Sequence, residues 1–276
     1  MRRHCITEDI PLLADHDHVV WFGEGQEDLD RLVTPFLIAG ARHNARMLYV
    51  VEDPDHHRLT LTGGLEQLVR TGALEIADIG AVYAPSLDFD PAAQLGIFED
   101  VLTETLTAGY SGLRVATDCT LLLACTTVMR WLRWEHLADA FEAANPVVGV
   151  CFFDRCRIGP GLMADLVALH PVRSAHAAVP PFQFFHDDGV IRVTGSLDYA
   201  SVGQLRRVLA ALPTGTEIVV DLAEVEFVDR HALTVLDDAG RSGAPVTIRH
   251  IGPTLRRLLS LLGDLGLPMR YLRVEE

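Results

Sequence analysis

The sequence predicts an α/β protein in two parts: an N-terminal three-layer domain with a mostly parallel sheet, and a smaller C-terminal α/β domain. Three observations carry this. Solid apolar runs such as MLYVV and VVGVCFFD alternate with helical periodicities, the pattern of a parallel sheet covered on both faces. The length, 276 residues, exceeds that of the usual single domain. The alternation also breaks once, at HPVRSAHAAVPPFQ, where three prolines interrupt both periods. The junction is therefore expected near Ala175 to Pro181, dividing the chain into residues 15–174 and 182–276.

The first unit is a strand at HVVWF, then Gly23 and Gly25, then a helix over 26–42. In that helix Leu29, Leu32, Val33, Phe36 and Leu37 recur at three- and four-residue intervals. The strand MLYVV follows, then a helix over 59–71, the strand ALEIADI, and a helix over 91–108 with Pro91 in its first turn and Gly109 past its end. Next come GLRVATD, a helix over 126–144, the strand VVGVCFFD and a helix over 161–169. Beyond the junction lie a strand HDDGVIRVTG, a helix over 199–211, a strand TEIVVDLA and a helix over 230–242. The strand PVTIRHI, a helix over 254–262 and a short strand MRYLRV complete the second part.

All 23 basic residues are arginine, set against 38 acids for a net charge of −15. The absence of lysine excludes Schiff-base chemistry and the phosphate-binding Lys of a P-loop. An acidic surface repels phosphate backbones and anionic lipid, so neither nucleic acid nor a membrane is an expected partner. There is no apolar run of about 18 residues, and MRRHCITEDIPLL carries acids where a signal peptide needs its apolar core. A cytoplasmic location is the expectation. The five cysteines form an odd set in apolar surroundings and read as reduced thiols. Cys119 and Cys125 stand six apart and Cys151 and Cys156 five apart, and the His4, Cys5, His16, His18 cluster is poorly spaced, so no metal or cofactor is expected. No Gly-x-Ser-x-Gly elbow or Gly-rich fingerprint occurs. A non-enzyme is expected, with a nucleotide-dependent enzyme or a scaffold using the N-terminal cleft as the alternative.

The segments VTGSLDYASVGQLRRVL, EIVVDLAEVEFVDRHALTVL and IGPTLRRLLSLLGDLG resemble the STAS domain of anti-sigma factor antagonists, over residues 182–276. In that family an Asp-Ser-Ser-Gly motif opens a helix, whose free N–H groups and positive dipole end suit a phosphate or carboxylate. Here the four residues are Asp229, Arg230, His231 and Ala232. Asp229 is suited to cap the helix. His231 stands at the position of the phosphorylated Ser and has no hydroxyl, so serine switching is expected to be absent. Three roles for His231 stay open: a neutral surface residue, a partner contact or a phosphohistidine acceptor. Thr234 lies one turn further on. The resemblance implies that Asp229, Arg230, His231 and Thr234 face a regulatory protein, such as an anti-sigma factor of the GHKL kinase type, and it admits a homodimer.

The segments HDHVVWF, PFLIAGARHNARMLYVVEDPD, GYSGLRVATD, WEHLADAFEAANP, VVGVCFFD and ALHPV, in that order, resemble the MEDS sensory domain, a ligand-sensing relative of the KaiC and RecA ATPases. Where such an ATPase has its phosphate loop, this chain has FGEGQEDLD, with Glu24, Glu27, Asp28 and Asp30 in place of neutral and basic groups. The ligand site is then expected in the cleft at the C-terminal ends of the strands, lined by His18, Trp21, Phe22, Glu52, Asp118 and Glu135. The resemblance matches His18 to the family's N-terminal His and Glu135 to an acidic helix residue, and it puts Asp118 where many relatives have Glu. A structural role for His18 and a surface position for Glu135 remain the plain alternatives. Trp131 and Trp134 read as core. The combined implication is a regulator in which a small, apolar ligand biases two domain arrangements across the proline-containing junction.

Overall fold

The computed structural model describes residues 2–8, 10–59, 64–83, 89–213, 217–241, 246–265 and 269–275. In the N-terminal domain, seven strands form one sheet: β1 (Cys5–Thr7), β2 (His18–Gly23), β3 (Arg46–Val51), β4 (Leu74–Asp78), β5 (Leu113–Asp118), β6 (Val147–Asp154) and β7 (Val172–Ser174). Their order is β1-β7-β2-β6-β5-β3-β4, and every pairing is parallel. Parallel neighbours need crossovers. These are α1 (Gly25–Arg42), α2 (Pro54–Leu59), α3 (Leu65–Thr71), α4 (Ile79–Tyr83), α5 (Pro91–Thr107), α6 (Thr120–Cys125), α7 (Val128–Ala144) and α8 (Pro160–Leu169).

Strand alternation splits the core. Val19 faces Leu29, Val33, Phe36 and Leu37 of α1, while Val20 and Phe22 face Trp131, Leu132 and Trp134 of α7 with Phe98 of α5. The helix starts follow their caps. Asp90 accepts from Ala92 N at 2.9 Å just before Pro91, which has no N–H to satisfy, and the Thr127 hydroxyl accepts from Arg130 N at the start of α7.

The C-terminal domain is a five-stranded sheet of β8 (Phe182–Asp187), β9 (Val190–Leu197), β10 (Ile218–Val228), β11 (Val246–Arg249) and β12 (Leu272–Val274), in the order β12-β11-β10-β9-β8. Among the described residues only β8 and β9 pair antiparallel. Helices α9 (Val202–Ala210), α10 (Arg230–Arg241) and α11 (Pro253–Asp264) accompany it.

Three expectations change. HDDGVIRVTG is the bend and second arm of a hairpin: Asp188 and Gly189 take φ of 49° and 75°, the left-handed pair of a two-residue type I′ turn, and FQFFHD forms the first arm. The proline-rich segment contains β7, inserted between β1 and β2. The helix expected over 59–71 begins at Leu65, residues 54–59 forming a separate turn, and positions 60–63 of that expectation lie outside the described residues, as do Ser242 and Pro245.

The junction is no free linker. Phe182 and Phe184 of β8 belong to the same buried cluster as Trp131 of α7 and Leu166 of α8, so one apolar core runs through both domains. Polar contacts add to it: His136 Nε2 donates to Val208 O at 2.9 Å, Gln204 Nε2 to Ala164 O at 2.7 Å, and Arg207 Nε to Asp165 at 2.7 Å.

Candidate functional site

His18 opens β2 with its ring on the α7 side of the sheet. Its Nε2 lies 3.5 Å from Oε2 of Glu135, on the middle of α7. His170, the residue after α8, brings its own Nε2 to 3.4 Å from the same oxygen. Cys151 of β6 places Sγ 3.6 Å from His18 Nε2. The side chains of His18, Glu135 and His170 are 0% exposed.

A second ring of groups fixes the first. Glu135, Asp139 and Glu142 follow one another at helical spacing, so one buried face of α7 presents three carboxylates to the sheet. Asp139 Oδ1 stands 3.3 Å from His18 Nδ1 and accepts from Arg2 Nη1 at 2.5 Å, while Oδ2 accepts from His186 N at 2.6 Å. Glu142 accepts from Gly149 N at 3.2 Å, in a space that exists because position 149 has no side chain: a Cβ there would collide with the Glu142 carboxylate. His170 Nδ1 donates to Leu166 O at 2.7 Å; a carbonyl can only accept, so Nδ1 carries the hydrogen and, in the neutral ring, Nε2 turns a lone pair towards Glu135.

Charge within the cluster is set by burial and by these neighbours. Burial alone disfavours a charged His18, yet Glu142, Asp139 and Glu135 outweigh it and push His18 up to about 10. Burial raises Glu142 to about 7 and raises Glu135 too. Burial and the His18 charge hold His170 well below the usual imidazole range, so it is neutral. Against this cluster lies a cavity of about 30 Å³, lined by His18, Tyr83, Phe98, Trp134, Glu142 and Cys151. It is mostly apolar with a few converging polar groups and has the size of one or two water molecules.

Of the six residues expected around one cleft, the structure brings together His18 and Glu135. Phe22 shares their face of the sheet but packs in the core beside Phe153. Trp21 points to the opposite face, where it packs with the α1 core, because successive residues of a strand alternate. Glu52 is exposed just past β3, and Asp118 ends β5, half-buried, accepting from Thr120 N at 3.1 Å. His18 starts its strand, so the site lies under α7 rather than at the strand ends where Glu52 and Asp118 sit. Trp131 and Trp134 are core, with Tyr83 and Phe89 around them. The carboxylates at 139 and 142 were missed although their i, i+4, i+7 spacing from Glu135 is visible in WEHLADAFEAA; no local signal marks Cys151 or His170 as their partners.

At the far end, Asp229 caps α10: Oδ1 accepts from His231 N at 2.8 Å and Ala232 N at 3.0 Å, and Oδ2 from Tyr199 N at 2.9 Å. His231 Nδ1 lies 3.2 Å from Oδ2, with the Tyr199 ring edge-on at 5.2 Å. Arg230 and Thr234 join His231 along an open groove of about 300 Å³ that runs to Asp238, Arg241 and Met269. Tyr199 and Phe227 are 72% and 55% exposed beside it. At the start of α1, where an ATPase would bind phosphate, Glu24 N donates to Asp28 at 2.8 Å and Arg155 pairs with Glu24.

Fold and site together describe a sensor-type α/β domain with a buried polar chamber, fused to a small α/β module with an exposed helix start. The chain belongs to the MEDS family: the model of the methanogen/methylotroph DcmR sensory domain matches residues 17–171, and a Mlab-type STAS domain follows over residues 182–266. No curated protein matches the chain. No helix among the described residues is long and apolar enough to cross a membrane.

Proposed function

We propose that the chain is a non-enzymatic signalling regulator in which the His18 chamber senses a small ligand and the STAS domain passes the result to a protein partner of the anti-sigma factor kind. One observation carries the reading. The carboxylate of Asp139 is shared between the chamber and the STAS domain: it faces His18 on one side and holds Arg2 and the His186 amide of β8 on the other. A change of charge or occupancy at His18 alters what Asp139 can offer β8. Because the apolar core is continuous across the junction, the response is a repacking at α7 and β8 rather than a swing about the prolines.

The exposed Tyr199, Phe227 and His231 around the cap of α10 support a protein-binding surface there, with aromatic anchors of the type that dominate interfaces. Control then acts through ligand and partner concentration, without serine phosphorylation at position 231. Affinity capture from lysate tests this with the full chain as bait. Wild type is expected to retain a GHKL-type anti-sigma kinase, His231→Asp to lose most of it, and Asp139→Asn to change the amount retained. Recovery of no such kinase with any bait overturns the partner assignment. ATP hydrolysis by the wild type, abolished by Asp118→Ala, overturns the non-enzymatic one.

A further inference from the structure

His18 Nε2, His170 Nε2, a Glu135 oxygen and Cys151 Sγ all lie within 4.8 Å of one another, although they come from β2, the end of α8, α7 and β6. Three of the six edges of this figure measure 3.4, 3.5 and 3.6 Å, inside the roughly 3.3 to 3.8 Å that tetrahedral bonds of about 2.0 to 2.3 Å to nitrogen, oxygen and sulfur imply, and the other three lie within 4.8 Å. Without a shared cation the arrangement is poorly satisfied. Both oxygens of Glu135 and Nε2 of His170 are buried and make no hydrogen bond among the described residues. The two imidazole rings stack with centroids 3.9 Å apart, which disfavours charge on both.

The surrounding groups have the arrangement that metal-bound histidines use. His170 Nδ1 is tied to the Leu166 carbonyl and His18 Nδ1 faces Asp139, so each ring is oriented with Nε2 inward. We propose that His18, Glu135, Cys151 and His170 form a binding site for one late first-row divalent cation of the zinc type. Two imidazoles, one thiolate and one carboxylate are the donors such an ion prefers over magnesium or calcium. The adjoining cavity of about 30 Å³ beside Cys151 and His18 leaves room for one small additional ligand. The site's regulatory meaning rests on the sensory reading above; cation binding itself is measured without any partner.

The test uses the full chain, stripped with a chelator and titrated with Co²⁺, and, separately, metal analysis of the protein as purified. One cation per chain is expected. The Co²⁺ form should show intense visible bands of tetrahedral geometry and a near-ultraviolet thiolate-to-cobalt band. Cys151→Ser should lose the thiolate band and His170→Gln should lose stoichiometric binding. Asp139→Asn should bind roughly 10- to 100-fold more weakly. Cys156→Ser, at an exposed thiol outside the site, should match the wild type. Circular dichroism checks the fold of each variant, and the wild-type cobalt spectrum decides the matter should a variant unfold. Absence of a stoichiometric cation, an octahedral spectrum, or undiminished binding in folded Cys151→Ser and His170→Gln overturns the site. Stoichiometric cation with unchanged partner capture in holo and stripped protein leaves the site standing and overturns the sensory reading.

Discussion

Asp139 is the residue on which most of the buried charge converges. Burial opposes its ionisation, but Arg2 and His18 overcome that and hold its carboxyl well below the usual range. Removing it strands Arg2 and His18 together in the interior, and breaking a buried pair from one side costs roughly 3–5 kcal/mol. Asp139→Ala is therefore expected to lower the unfolding free energy obtained from urea denaturation by that margin, with Asp139→Asn, which keeps an oxygen for the His186 amide, losing less. At this scale the sequence was partly legible. His18 and Glu135 stand out through family resemblance and do meet, while Trp21, three positions from His18 along β2, falls on the opposite face by strand parity. Cys151 and His170 are close to His18 only through sheet order, which no linear spacing encodes.

Elements behave as their local chemistry dictates. Asp229 satisfies two free amides of α10 and ties in Tyr199, so Asp229→Ala should cost about 1 kcal/mol and loosen the loop carrying Tyr199. Urea denaturation with hydrogen exchange at Tyr199 and His231 measures both. The long amphipathic helices and the buried strands were readable because burial on one or both faces writes a period into the chain. The strand β7 was not, since three residues directly after Pro171 leave no period to see. The sequence reads as one strand, HDDGVIRVTG, where the β8–β9 hairpin lies, although its Asp188–Gly189 turn is in plain view; FQFF, directly after two prolines and without alternation, does not mark itself as the first arm.

For the molecule as a whole, the domain interface contains a pH-dependent element. His136 is buried beneath the C-terminal domain, and burial, with His186 beside it, lowers it from 6.5 to about 3. Folding then requires a neutral ring that the unfolded chain protonates below 6.5, so stability rises with pH between about 3 and 6.5 and is flat above. Acidification from pH 7 to pH 5 should remove about 2 kcal/mol through this residue, at 1.36 kcal/mol per pH unit. His186 and His170 shift the same way. His18 works in another window, its contribution being complete below 6.5 and lost as pH rises towards 10. Thermal melts of wild type and His136→Gln across pH 5–7 check this: the variant should lose about 2 kcal/mol less over the range.

The placement of α7 also bears on how the chain reaches this state during synthesis. One side of that helix closes over the parallel sheet, and the other is covered by β8, a strand made some forty residues later. The backbone amide of Arg2 finds its acceptor, the Asp187 carboxylate, only after 185 further positions have been added. Until then the outer side of α7 and that amide face water or a chaperone, and the nascent N-terminal domain is the species most exposed to aggregation. Residues 182–187 thus complete the first domain as well as beginning the second. A fragment that stops short of them gives up a wall of its own core.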